Sequence, residues 1–439
     1  MQIHAHTPLY STRTSLFLIA LMLVSVRVSA ASPCLPQAEL PAISGPTLSL
    51  SGNAELQTAI QNAAAGTTLL LAPGTYNLSS TLYIRTNNLT IRGNGGSCEA
   101  VVLNGAGMDN ADFGNAPHGI WTDAADLQLM NLTIQNFYLH GVVLNSGAQS
   151  PTFNSVQILN TGQQLVKGNP TQYGVGVDNG VVLNSRFAYT NGTPQTDHGA
   201  GIGYTNGIDI HAGDNWLISG NRFENFHTPD SSSWWWNPAV LMWNGGQNSV
   251  VENNVFINVD RAIAFGLMER NGDVDHSGGI IRNNMVYYAP GQFSSNRIAD
   301  SDGAILVWNS PNTVVAHNTV LSNGNLNKSI EFRFSTTTGA QAINNLVDAP
   351  IGSRNSASFS QSGNLTSADA DMFVDAATAN LRLNSSAIAA VDKVSVSEYA
   401  TTDIDGFVRS GAGKVDIGAH ELNALSPPNP PTDISGSQL

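Results

Sequence analysis

Residues 251–256 read Val251-Glu252-Asn253-Asn254-Val255-Phe256, two short apolar runs folded around an Asn pair. The same arrangement returns as Ile218-Ser219-Gly220-Asn221-Arg222-Phe223, Ile281-Arg282-Asn283-Asn284-Met285-Val286, Val315-Ala316-His317-Asn318-Thr319-Val320 and Ile343-Asn344-Asn345-Leu346-Val347, with an earlier echo at Leu129-Met130-Asn131-Leu132-Thr133. Counted on the last Asn from Asn221, the steps are 33, 30, 34 and 27 residues. Units of that length exceed a minimal coil of parallel strands, so each carries a core turn and a variable loop. Short alternating strands, Gly- and Asn-rich bends and almost no helical period predict an all-β solenoid rather than a sandwich or a βαβ fold. The repeated Asn side chains are expected to stack as a ladder, filling the backbone bonds that a tight bend leaves open.

The flanks agree. Leu56-Gln57-Thr58-Ala59-Ile60-Gln61-Asn62-Ala63 reads as a short amphipathic helix, followed by Gly66-Thr67-Thr68-Leu69-Leu70-Leu71-Ala72-Pro73-Gly74-Thr75-Tyr76. This opening resembles that of pectin-lyase-fold proteins, and the resemblance implies a single-stranded right-handed parallel β-helix whose open end the helix covers. Asp403-Ile404-Asp405-Gly406, Arg409 and Val415-Asp416-Ile417-Gly418-Ala419-His420-Glu421 resemble the closing signature of secreted bacterial β-helix proteins. The expected organisation is a leader at 1–30, an extension at 31–50, the β-helix at 51–422 and a disordered Pro-rich tail at 423–439.

The leader rests on Arg13, the apolar run Leu16–Val24 and the small residues Val28-Ser29-Ala30. Nine apolar residues cannot span a bilayer, so an exported protein with no membrane span is expected. Loss of Arg13 and Arg27 leaves 16 basic against 32 acidic residues, a mature charge of −16. With no basic run, nucleic acid is excluded as a general partner. Cys34 and Cys98, the only cysteines, are expected to pair in an oxidising compartment.

A second strand in each unit begins on a small residue: His118-Gly119-Ile120, His140-Gly141-Val142, Tyr173-Gly174-Val175, Asn206-Gly207-Ile208, Pro238-Ala239-Val240, Arg261-Ala262-Ile263, Gly303-Ala304-Ile305 and Lys328-Ser329-Ile330. Side chains alternate along a strand, so the residue after each aliphatic one faces out. That gives an outer column Trp121, Val143, Gly176, Asp209, Leu241, Ala264, Leu306, Glu331, and a second one Asp123, Asn145, Asp178, His211, Trp243, Gly266, Trp308, Arg333. Flat rings beside charged groups suit a sugar, which stacks its apolar face and hydrogen-bonds through its hydroxyls. Trp243, Trp308, Glu331, Arg333, His140, Asp178, His198 and His276 are therefore candidate substrate contacts. The loops at 190–205, 227–237 and 269–278 add Asp197, His227, three consecutive Trp at 234–236, and Arg270; Asp273 and Asp275 are a possible Ca²⁺ site.

Seven of the eight mature histidines fall between residues 118 and 317. His317, beside a ladder Asn, is read as structural, whereas His211 shares an outward strand with Asp209. Gly207-Ile208-Asp209-Ile210-His211 resembles the Asp-x-His strand of mannuronan C5-epimerases, β-helices that act on polyuronates. The resemblance covers five residues. Asn206 stands where that family carries a Tyr, and Ile210 where a Pro is usual, so Tyr173 or Tyr204 would replace the Tyr, while Lys167 and Arg261 would supply the family's Lys and Arg. It implies His211 as base or acid, Asp209 orienting it or contacting substrate, Lys167 and Arg261 neutralising the substrate carboxylate, and Tyr173 as second proton donor.

Uronate lyases and epimerases share a first step for which these residue types are suited. The C5 proton leaves only when the adjacent carboxylate is neutralised and a base is in place. The expected partner is a uronate-containing polysaccharide and the expected state a monomer. Two other classes stay open: a non-catalytic glycan-binding or adhesin-like β-helix, and a glycoside hydrolase pairing Asp209 with Asp178, Glu331, Asp273 or Asp275. The Asn-Thr-Asp and Asp-Asp strands typical of polygalacturonases are missing.

Overall fold

The computed structural model describes Cys34, residues 40–410 and residues 413–422, so the leader and the tail lie outside the described residues. Its strands form two long parallel ladders, one of twenty strands and one of ten, closed by coils into a parallel β-helix. Coiling begins before residue 51: Thr47–Leu50 already pairs in parallel with Thr68–Leu71. The helix Asn53–Asn62 follows and buries Leu56, Ala59 and Ile60, as expected of a cover over an apolar end.

In the twenty-stranded ladder most coils contribute two strands joined by one residue at positive φ, as in Val181–Leu183, Asn184 (φ 48°) and Arg186–Ala188. The residue just before each ladder Asn occupies this bend: Gly220, Asn253, Asn283, His317, Asn344 and Gly363. Left-handed backbone favours Gly and Asn, which explains the Asn pairs. The following Asn then bonds to the next coil: Asn221 Nδ2 donates to Asn254 Oδ1 (3.0 Å), Asn254 to Asn284 (3.0 Å), Asn284 to Asn318 (2.9 Å), Asn318 to Asn345 (3.0 Å) and Asn345 to Asn364 (3.0 Å). Asn131 is not a rung. It takes the bend itself (φ 53°), and its amide donates to the carbonyls of Gly93 and Gly95.

Inside the coils, side chains stack on their equivalents, for example Phe187, Phe223 and Phe256 with centroids 5.0 and 4.8 Å apart. The ten-stranded ladder runs in chain order from Ser80–Ile84 to Ile351–Arg354, its inward aliphatics in register from Ile120 through Val142, Val166, Ile208, Val240, Ile263, Ile305 and Ile330 to Ile351. The other face of this ladder carries the site.

After the last ladder strand, Phe359–Ser362, the chain turns back over the bends. Buried Arg409 donates to the Gly418 carbonyl (2.8 Å) and to Glu421 (2.7 Å), and Asn283 donates to the Thr402 carbonyl (2.8 Å). His317 is buried, accepts from Asn344 Nδ2 (2.9 Å) and faces the Gly418 carbonyl, in keeping with a structural role. Cys34 and Cys98 form a disulfide.

Candidate functional site

Strand pairing fixes the outward columns. The first reads Tyr83, Trp121, Val143, Lys167, Asp209, Leu241, Ala264, Leu306, Glu331 and Gly352. It matches the sequence reading except at one coil, where Val166–Gly168 is the strand and Lys167, not Gly176, stands beside Asp209. Tyr173, Gly176 and Asp178 belong to the loop beyond. A Cβ on Gly176 would lie 2.3 Å from the His211 carbonyl, so this loop crosses the end of the His211 strand where only glycine fits. Asp178 accepts from the backbone of Asp214 (2.9 Å) and organises a turn, while Tyr173 is exposed and donates to the Val274 carbonyl.

The corrected register brings three groups together. Lys167 Nζ lies 2.6 Å from Asp209 Oδ2 and 2.7 Å from His211 Nε2, and Asp209 Oδ1 accepts from Trp243 Nε1 at 2.9 Å. Asp209 is fully buried, whereas the side chains of Lys167 and His211 stay 14% and 18% exposed, enough for a ligand to reach them. Burial, the largest influence on Asp209, pushes its carboxyl up; the neighbouring Lys167 ammonium and then His211 outweigh it and hold the group well below the usual carboxylate range. Asp209 is therefore a fixed anion that anchors Lys167. With the Lys167 ammonium as donor, His211 Nε2 accepts through its lone pair and the ring N–H is on Nδ1.

The cluster has two banks. At the start of the strands, Tyr204 lies beside the Gln164 side chain and is pushed up by burial and then by Asp209. His140 Nδ1 meets the Gln164 carbonyl (3.0 Å), its ring stacks on His118 at 5.1 Å, and burial followed by His118 lowers it to about 3. Tyr204, rather than Tyr173, is thus the tyrosine that senses Asp209. At the strand ends, Trp243 packs on His211 with centroids 4.4 Å apart, and Arg270 lies 5.8 Å from the rings of both Trp243 and Tyr173. Gln164 was missed as a site residue and Arg270 was named without a position, because loops and turns carry no period to register them.

Several expected contacts are structural. Arg261 is buried, paired with Asp302 and donating to the Trp236 carbonyl (2.7 Å), so it cannot neutralise a substrate at His211. Trp308 is 4% exposed beneath the guanidiniums of Arg333, Arg261 and Arg354, at 4.4, 5.0 and 5.3 Å, which also occupies Arg333. Glu331 is buried between Lys328 (3.0 Å) and Arg354 (2.8 Å). It lies four strands from Asp209, about 19 Å at the usual strand spacing, too far for a hydrolytic carboxylate pair.

His276 is buried against Phe265 and Ser310, and burial lowers it to about 3. His198 is 8% exposed and bonds to the Met108 carbonyl (2.6 Å), tying two loops together. Asp275 accepts from the backbones of Asn244, Leu267 and Met268 and from Arg270, leaving no open lone pair for a cation beside Asp273. Among the described residues, no helix is long and apolar enough to cross a membrane.

No family model and no curated protein matches this sequence. Among solved structures the chain is similar to an alginate lyase from Paenibacillus sp. str. FPU-7 (TM-score 0.48, 19% identity, covering 73% of this chain and 99% of that one). It is also similar to pectate lyase Pel9A (0.45, 14%, 88% and 98%) and to a rhamnogalacturonan lyase (0.47, 12%, 75% and 91%). The fold assignment rests on the chain's own parallel ladders.

Proposed function

We propose that this chain is an exported enzyme that removes the C5 proton of a uronate unit in a polysaccharide, as a lyase or a C5-epimerase. The observation that carries the reading is the outward cluster of Lys167, Asp209 and His211 on adjacent strands. Lysine has three N–H donors, of which Asp209 and His211 engage two, so one remains to neutralise a substrate carboxylate. That neutralisation makes the neighbouring C–H acidic, and when Lys167 turns its N–H from His211 to the substrate carboxylate, the freed Nε2 lone pair takes the proton. Asp209 acts as a positioning residue, since it is buried and touches only protein groups.

Tyr204, beside Gln164, is the candidate second proton carrier: it would protonate the leaving 4-oxygen in a lyase or return a proton to C5 from the other face in an epimerase. Arg270 and Trp243 at the rim suit a carboxylated ring. Support for the enzyme over a pure binder comes from the charge arrangement, because a binding surface has no need of a buried carboxylate aligning an ammonium on an imidazole.

The test is absorbance near 232 nm on alginate, polygalacturonate and glycosaminoglycans, with and without Ca²⁺, beside His211→Ala and Tyr204→Phe. A rise abolished in His211→Ala and slowed about 100-fold or more in Tyr204→Phe supports the lyase. Unchanged turnover in His211→Ala would overturn the assignment.

A further inference from the structure

The two halves of the outward face differ in chemistry. From the start of the ladder to the cluster, the second column reads Arg85, Asp123, Asn145, Asn169 and His211, all at least partly exposed, next to Tyr83, Trp121 and Lys167 in the first. Tyr83 is 44% exposed, its ring lies 5.8 Å from that of Trp121, and Arg85 covers Trp121 at 4.7 Å while pairing with Asp123. Asn169 donates to Asn145 (3.0 Å), continuing the polar strip to His211.

Beyond the cluster the face is closed. Leu241, Ala264 and Leu306 point outward yet are buried, packed with Trp308 and Phe334 and covered by Trp243 and Leu267. A Cβ on Gly266 would lie 1.9 Å from the Trp308 carbonyl, so the loop that follows sits directly on the sheet. Asp275 ties that loop down through Leu267, Met268 and Arg270. A polymer therefore cannot continue along the sheet past Trp243.

We infer that the substrate groove is one-sided: a linear polysaccharide lies on the Tyr83-to-His211 half only, and the reacting unit sits at or beside its chain end. This rests on the proposed C5 chemistry for the word reacting, but not for the path of the chain. Strands repeat every ~4.8 Å, close to one glycosidic repeat, which sets Tyr83 and Trp121 about three and two rings from Lys167. The Tyr83 ring offers a stacking platform, Trp121 beneath Arg85 a part-exposed apolar wall, and the Asn and Asp strip hydrogen bonds to hydroxyls.

The experiment has two arms. In the first, His211→Ala protein is titrated with oligomannuronates, oligoguluronates and oligogalacturonates of two to eight rings, with and without Tyr83→Ala or Trp121→Ala. Affinity is expected to rise up to about four rings and then level, and either aromatic change lowers four-ring affinity about five- to tenfold while leaving two-ring affinity unchanged. Tyr83→Ala, on an exposed side chain, serves if Trp121→Ala fails to fold. Affinity that ignores both changes overturns the inference.

In the second arm, wild-type protein acts on polymer. Early products of one short size with viscosity preserved support it, and a broad ladder of sizes with rapid loss of viscosity contradicts it. Turnover without any dependence on Tyr83 removes the groove and keeps the chemistry; Tyr83-dependent binding without turnover removes the chemistry and keeps the groove.

Discussion

At the scale of single residues, the site is built on a buried carboxylate with one ammonium. Replacing Lys167 by Met leaves Asp209 charged and inside, at a cost of about 3 kcal/mol in urea unfolding, whereas Lys167→Met with Asp209→Leu recovers most of it. Equal losses in the single and double variants would mean that the pair is not acting as a buried ion pair. Buried histidines set a second test. His276 is lowered to about 3 by burial, below its unfolded value near 6.5, so the unfolded chain binds the proton first and stability falls as pH drops from about 6.5 towards 3. Glu421, raised to about 7 by burial and then by Asp416, works oppositely: its contribution is full below about 4.5 and lost as pH rises through 7. The readout is therefore a difference between proteins. His276→Leu is expected to flatten the acid slope by up to about 1.4 kcal/mol per pH unit, and an unchanged slope would refute it. Asp209 and His211 were legible in the sequence because they alternate on one strand. Lys167 was named for its charge but left out of the outward column, since Leu165 fills the position where the other strands have Gly, Ala or Ser.

At the scale of elements, the Asn ladder is what the repeats specify most directly. Asn284 donates to the Val251 carbonyl (2.9 Å) and to Asn318, and accepts from the backbone and side chain of Asn254 (3.0 Å each). Asn284→Ala opens all of these in a dry interior, at an expected cost of about 3 kcal/mol or more. Asn131→Ala, outside the ladder, would cost clearly less. A calorimetric comparison of the two checks this, and equal losses would contradict the ladder. The bends were legible as Asn pairs, but which Asn bends and which stacks follows from φ alone, and so Asn131 was misread. Trp243 and Trp308 look alike in sequence, two residues of one column. One stays at a rim, and the other is enclosed by three guanidiniums from neighbouring strands, a contact that strand alternation does not encode.

At the scale of the whole molecule, the fold came through from period, helix cover and closing segment, while the site came through only where it lies on strands. Loops are aperiodic, so the inward turn of Asp275, the burial of His276 and the rim position of Arg270 all escaped. The disulfide joins residues 64 apart, linking Cys34 to the early coils. Loop-closure entropy at that separation is worth about 4 kcal/mol, so Cys34→Ser is expected to lower the melting temperature by several degrees with the Asn ladder intact; an unchanged melting temperature would show that the link does not constrain the unfolded chain. The proposed chemistry acts on a carbon-bound proton, which proton NMR of polyuronates incubated with the protein in D₂O follows atom by atom. Either a C4=C5 unsaturated unit or deuterium at C5 of an inverted unit is expected, in both cases lost in His211→Ala. New reducing ends with every C5 hydrogen retained, or no change in any substrate, would contradict it.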